Sequence, residues 1–448
     1  MASPTVQTMP QTPRKAAAKP ARRRDGAPPL LAILILTVGF FLFGATEPLS
    51  TLLLSAGLIV CAFLSITLAG PRFVTLGMLA GAAAVWAAGF ASATLHGLPE
   101  HALPALAAVF AGVAVWSIGY IAGRSRDILN RTWSALIWFS FAFCLFTFLT
   151  HVGASLGRRA EPLAAGFESP VAASLVFGLL AIVAASRVLH LIRQMNAESL
   201  SRSEMVGRLL RDGLGGLLLL AFSLTCLALT GSRSGLLFTG ATIFGQTWWD
   251  THALVSADHK SRVIRPIGRI TPIVLVILAA WGFVDALAPN ARLAGLRDAV
   301  DTMLLRLDAY AGVWLQSPFI GQGPGSIELA GAQATTLANA DAMSGPGGAR
   351  NVVLHWLVEY GLAGTLAGAA FILAIIIAIL RGMQGRRTPR TFLRLACAAS
   401  MFLLVEGLTK SSIDLPAAAW LYMLLLGLGC GVAAEGRNAA TAGATRRP

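Results

Sequence analysis

The sequence predicts an all-α protein, a polytopic transmembrane helical bundle of about twelve spans, and three observations predict it. Of its 448 residues, 56% are apolar and 12% charged, and the mean hydropathy is +0.69. A water-soluble chain of this length needs far more charged surface, so lipid is its main solvent. Apolar runs of roughly 17–25 residues, long enough to cross a hydrocarbon core of about 30 Å as helix, recur along nearly the whole chain. The basic residues then fall mainly in alternate connections between those runs, the pattern that fixes orientation in a bilayer.

In chain order the spans are expected near 29–46, 49–69, 73–92, 103–122, 131–150, 170–192, 212–231, 233–250, 271–287, 351–380, 393–410 and 416–435. Residues 1–28 form a basic tail and 29–286 carry spans one to nine. Residues 287–350 make a long outer loop, 351–435 carry the last three spans, and 436–448 are a second tail. With both termini inside, the inner segments hold about 27 of the 35 Lys and Arg residues. The outer ones are Arg158, Arg159, Arg233, Arg292, Arg297, Arg306, Arg350 and Lys410. This places the chain in a bacterial-type inner membrane, multi-pass, with both ends cytoplasmic.

The same asymmetry accounts for the formal charge of +14 without invoking nucleic acid, because the basic surplus faces anionic headgroups of the lipid bilayer. The opening run Arg14, Lys15, Lys19, Arg22, Arg23 and Arg24, set among Ala and Pro, reads as a disordered topology anchor. Continuity of the first apolar run with the bundle argues against a cleaved signal peptide. Cys61, Cys144, Cys226, Cys397 and Cys430 all fall in spans, as small apolar packing residues. No Cys, His or carboxylate cluster has metal-ligand spacing, and no cofactor is implied.

Two outer connections stand out, 151–169 and 287–350, and a long connection in a compact membrane protein usually carries function. In the longer one, Leu296, Val300, Leu304 and Leu307 recur at helical spacing within Arg292 to Trp314, which predicts an amphipathic helix on the membrane face. The cluster Ser317-Pro318-Phe319-Ile320-Gly321-Gln322-Gly323-Pro324-Gly325 ends it. That cluster is a plain structural turn or a phosphate cradle. The plain turn is favoured, since no strand precedes it and no Gly-Lys-Ser/Thr follows. A flexible Ala/Gly/Thr segment is expected from there to Arg350.

Arg233 occupies the minimal turn Thr230-Gly231-Ser232-Arg233-Ser234-Gly235, where a small neutral residue would serve. The start of a helix directs N–H groups and positive charge outward, which suits an anion. An interfacial arginine whose head merely reaches water is the equal alternative. Trp248 and Trp249 read as membrane-interface groups.

Leu219 to Leu237, LLAFSLTCLALTGSRSGLL, resembles the Thr-Gly-Ser-Arg signature of the O-antigen ligase and polysaccharide polymerase superfamily. Arg306-Leu307-Asp308-Ala309-Tyr310, followed by Ser317-Pro318 and Gly321-Gln322-Gly323-Pro324-Gly325, is similar to that family's Arg-led amphipathic helix ending in Pro-x-x-Gly-x-Gly-x-Gly. Asn351 to Gly364, NVVLHWLVEYGLAG, resembles its next span, with Glu359, Gly361 and Gly364 at the family's spacing. The resemblance covers roughly 219–364 in the family's order; before residue 160 only the hydropathy matches. Gly166-Phe167-Glu168-Ser169-Pro170 stands where the family has an Asn-rich loop, and lacks the asparagines.

The resemblance implies a membrane glycosyltransferase that polymerises or ligates undecaprenyl-diphosphate-linked polysaccharide on the periplasmic side. The donor would be the lipid-linked glycan, and the acceptor a glycan or lipid A-core. It assigns Arg233, Arg306 and Arg350 to diphosphate or glycan-lipid binding, where guanidinium forks match phosphate oxygens and stabilise the leaving charge without a metal. The ligases carry a His-Asn pair whose His is implicated as base, and here that position is Arg350, which cannot accept a proton. His355 is no simple replacement, since five helical residues give about 7.5 Å of rise and roughly 140° of rotation.

Glu359, His355 and Asp308 are the candidate catalytic bases. His355 and Glu359, four apart, share a helix face and equally form a pair that satisfies itself inside the bundle. Lys410, with Asp414, either closes the same pocket or forms a helix-end ion pair. Arg158 and Arg159 either hold glycan or belong to a solvated loop. The vacant ligase histidine tilts the expectation toward polymerase over O-antigen ligase. The rival class is a transporter or flippase for lipid-linked or anionic solutes, which would favour internal repeats and broken spans in matching halves; no repeat is apparent.

Overall fold

The computed structural model describes residues 27–42, 47–69, 76–96, 99–155, 162–167, 169–197, 202–255, 296–343, 348–384, 390–409 and 415–444. Among these residues the secondary structure is helical throughout. The helices are α1 Ala27–Phe41, α2 Pro48–Ala69, α3 Leu76–His96, α4 Pro99–Gly123, α5 Arg126–Ser155, α6 Pro170–Ala197, α7 Arg202–Leu229 and α8 Arg233–Val255. Then come α9 Leu296–Trp314, α10 Ile327–Ala334, α11 Ala340–Met343, α12 Val352–Met383, α13 Arg390–Thr409 and α14 Pro416–Ala444.

Eight described helices (α2, α4, α5, α6, α7, α12, α13 and α14) are long and apolar enough to cross a membrane. Two shorter apolar helices, over Ala27–Phe41 and Ala80–Leu95, add to them. Their outward faces present large apolar side chains such as Leu49, Phe63, Leu366 and Met401, as a surface solvated by lipid does. The chain is thus a membrane-embedded helical bundle. Of the predicted spans, 233–250 falls on α8, which is a helix outside that set of eight, and 271–287 lies outside the described residues.

Without a hydrophobic force between helices in lipid, packing depends on close backbone approach. Gly119 and Gly123 of α4 meet Gly427 and Gly431 of α14, and a methyl at any of the four would overlap the partner helix's backbone. The Trp420 indole N–H donates to the Ala108 carbonyl across the same pair (2.9 Å). α14 and α6 are the central posts, with 83% and 72% of the residues in their most apolar stretches buried, against 28% for α12.

One sequence expectation needs correction. The segment between the Gly-rich turn and Arg350 is not a flexible tether over its described part, since it holds α10 and α11. Ala330 of α10 and Ala349 pack with Tyr310, Val313 and Val358 in a second small core, so apolar burial organises a stretch whose composition reads as linker. The last helix runs on through Ala444, beyond the candidate span that ends at Gly436. The expected amphipathic helix is present, as Leu296–Trp314.

Candidate functional site

The α7–α8 turn lies at the same end of the bundle as the start of α12, against which α9 packs. α13 fixes this: its C-terminal Leu408 carbonyl accepts from Asn351 Nδ2 (3.3 Å) at the head of α12, while its N-terminal Arg394 lies over Trp249 near the far end of α8. The start of α8 is therefore on the Asn351 side.

In that α7–α8 turn, the signature residues build the backbone. Thr230 Oγ1 donates to the Leu227 carbonyl (2.7 Å) and accepts from the Ser232 N–H (3.2 Å). Gly231 takes φ +69, and Ser232 Oγ accepts from Gly235 N–H (3.2 Å), capping α8. Arg233 is the first helical residue, and it is exposed. A cation at the positive end of a helix is disfavoured by roughly 0.3–1 kcal/mol, a cost that an anion would offset.

The Gly-rich turn does not cradle an anion with its central amides, because a broken helix uses them. Gly361 interrupts α12 with φ 62 and ψ −170. In unbroken helix the Leu362 and Ala363 amides would bond the Val358 and Glu359 carbonyls. Here Leu362 N–H donates to Pro318 O (2.8 Å) and Ala363 N–H to Phe319 O (3.0 Å). In exchange, Gln322 N–H donates to Val358 O (2.6 Å) and Gly323 N–H to Glu359 O (3.0 Å). Ser92 Oγ of α3 also donates to Glu359 O (3.2 Å). Residues 318–323 thus supply partners for the Leu362 and Ala363 amides and for the Val358 and Glu359 carbonyls, standing in for the missing turn of the helix. This favours the structural reading of the turn.

Just before that break sits the His355–Glu359 pair, Nε2 to Oε1 3.3 Å, both side chains 7% exposed. One turn earlier, Asn351 caps α12, accepting from the Val353 and Leu354 amides at 3.0 and 3.1 Å. Arg350 precedes it with φ 48, left-handed backbone that a branched-off side chain pays about 1–2 kcal/mol to adopt. Its side chain is exposed.

α9 has two working faces. Arg306, Tyr310 and Val313 point inward; Arg306 is 4% exposed, and its Nε donates to the Ala342 carbonyl of α11 (2.9 Å). Burial, and second the field of the nearby Arg350 guanidinium, lower the Arg306 pKa from its usual value, with Tyr310 opposing. Ala349, next to Arg350, packs in one cluster with Tyr310, one turn along α9 from Arg306, so the two arginines lie in the same part of the fold despite 43 intervening positions.

The other face of α9, Leu304, Leu307, Asp308 and Ala311, lines a cleft of about 600 Å³ with Asn351, Val353, Leu354, Leu357 and Leu408. The cleft is apolar apart from Asp308 and Asn351, and it starts at the residue next to Arg350.

The sequence candidates accordingly separate. Arg306 and Arg350 come together, and Asp308 reaches the adjoining cleft. His355 and Glu359 pair with each other away from its wall, and Arg233 stands on the same bundle end in a separate turn. Lys410, Asp414, Arg158, Arg159 and Glu168 lie outside the described residues.

Glu406 escaped the sequence reading. It is fully buried in α13, one half-turn before the cleft residue Leu408. A lone acid in the run Met401-Phe402-Leu403-Leu404-Val405-Glu406 was the available signal, since a carboxylate there is costly to keep. Among the described residues, no group of three or more His, Cys, Asp or Glu could hold a metal ion. Compared with known proteins, the chain matches no family model and no curated relative.

Proposed function

We propose that this protein is a membrane glycosyltransferase that joins undecaprenyl-diphosphate-linked glycans on the periplasmic side, of polysaccharide-polymerase type. The observation that carries this is the Arg306–Arg350 neighbourhood beside a carboxylate-bearing apolar cleft at the membrane face. Two like charges held together gain from an anion of two or more charges between them, and a diphosphate supplies one. The cleft's apolar wall, made by the ends of membrane helices, suits the hydrocarbon chain of the same substrate.

In the proposed step the acceptor hydroxyl oxygen bonds the anomeric carbon of the donor glycan as the bond from that carbon to the diphosphate oxygen breaks. The hydroxyl proton passes to Asp308, the candidate carboxylate on the cleft wall. The leaving lipid diphosphate takes the electron pair, and Arg306, Arg350 and Arg233 stabilise its charge. Arg350 at the ligase histidine position favours polymerase over transfer to lipid A-core.

Gene deletion followed by gel analysis of surface polysaccharide tests this. Loss of polymerase leaves single repeat units; loss of ligase leaves uncapped lipid A-core with polymer on its carrier. Normal glycan with a transport defect would replace the proposal by the second reading, a transporter, which the broken α12 favours. Against that reading, the carbonyls freed at the break are spent on residues 322 and 323 rather than left for a cargo ion.

A further inference from the structure

Tyr310 belongs to the second small core, and the reaction proposed above leaves its hydroxyl unused. It lies one helical turn after Arg306 on the inward face of α9 and is 4% exposed. Its ring packs with Val313, Ala330, Ala349 and Val358, so α9, α10, α12 and the residue before Arg350 all close on it.

That packing accounts for the ring and not for the hydroxyl. Among the described residues Tyr310 Oη makes no hydrogen bond. A phenylalanine would fill the same core without burying an unmet polar group. The fold nevertheless leaves room for the oxygen: a Cβ added at Gly331 of α10 would stand 2.6 Å from Oη, against 3.5 Å from Cζ. Any larger residue at 331 would displace the hydroxyl while tolerating the ring.

Two charged groups act on this hydroxyl, Arg306 from α9 and Glu328 from the first turn of α10. Burial raises the Tyr310 pKa, the Arg306 guanidinium opposes the rise, and the Glu328 carboxylate adds to it. At neutral pH the hydroxyl therefore keeps its proton and can donate it to a hydrogen bond. The Arg306 head is fixed by the bond from its Nε to the Ala342 carbonyl (2.9 Å).

Side chains four apart on a helix are neighbours, with Cβ atoms about 5–6 Å apart. An anion held by Arg306 thus has a neutral donor on the same face of α9. An ionised phosphate oxygen only accepts, and a hydroxyl meets it without adding to the repulsion that Arg350 already exerts on Arg306.

We propose that Tyr310 is a further binding residue of the diphosphate site, its hydroxyl donating to a phosphate oxygen held by Arg306 in the space that Gly331 leaves open. The assignment rests on the glycan-diphosphate reading.

The test uses the full chain in neutral phosphatidylcholine nanodiscs, with the thermal unfolding midpoint titrated by inorganic pyrophosphate at constant ionic strength. The wild-type midpoint is expected to rise. Tyr310→Phe should match the wild type without ligand, because the lost hydroxyl bonds nothing in the protein, yet need about tenfold or more pyrophosphate for half the rise. Gly331→Ala should weaken binding similarly in the wild-type chain and add nothing in Tyr310→Phe, whose ring end clears the new methyl. Gly312→Ala, on α9 with nothing within 4 Å, should leave the titration unchanged.

Equal half-saturation in wild type and Tyr310→Phe, or a lower ligand-free midpoint in that variant, would overturn this assignment and leave the diphosphate reading standing. A wild-type midpoint indifferent to pyrophosphate would overturn both.

Discussion

Gly321 and Gly361 face one another backbone to backbone where the loop turn completes the broken helix. Gly321 takes φ +73 and Gly361 φ +62, and a Cβ on either would overlap the other's main chain. The helix break and the turn that fills it therefore exist only together.

Gly361→Ala is expected to cost roughly 3 kcal/mol or more, from a backbone region open mainly to glycine and from overpacking. Gly321→Ala should behave alike. Gly348→Ala, with φ +49 but its nearest neighbour a side-chain carbon of Ile327 at 3.2 Å, should cost only about 1 kcal/mol. Thermal midpoints of the purified proteins rank the three, and equal values would mean that the interlock contributes nothing.

Arg350 separates backbone from side chain in one substitution. Arg350→Gly relieves left-handed strain, so stability should hold or rise by about 1 kcal/mol, while polymer on the gel falls to single repeat units. Wild-type polymer from this variant would remove Arg350 from the site.

Between the candidate bases, the cleft decides. Asp308→Asn should lower polymer formation by about 10²-fold or more at normal expression. Glu359→Gln, which keeps a hydrogen-bonding group beside His355, should leave most activity. The reverse ranking would move the base to the buried pair. His355→Ala strands a buried carboxylate and should destabilise by about 3–5 kcal/mol, whereas replacing both partners with apolar residues should be close to neutral.

In the α7–α8 turn, Ser232→Ala removes the cap and should cost about 1 kcal/mol in stability. Arg233→Lys keeps the charge and loses the fork, so its effect should appear in polymer length with the thermal midpoint unchanged. A midpoint that falls as far as in Ser232→Ala would make Arg233 a structural residue.

Membrane residence, eight of the helical spans and the amphipathic α9 were legible in the sequence because hydropathy and helical period are local sums over some twenty residues. The punctuation was legible too: Gly231 and the 321–325 glycines mark turns wherever they occur. The two-faced nature of α9 was not, since period alone cannot say that Arg306 lies on the buried face and Asp308 on the cleft. Glu406 passed as an isolated charge within an apolar run.

The amino-acid order alone determined that this chain is a membrane-embedded bundle of helices. Only the tertiary structure decided that span 351–380 is broken at Gly361 and completed by residues some forty positions away, and that Arg306 and Arg350 become neighbours. The physical reason is that a span must satisfy its amides somewhere, but the sequence does not name the distant partner; backbone hydrogen bonds carry no side-chain signature, and that pairing is settled by packing.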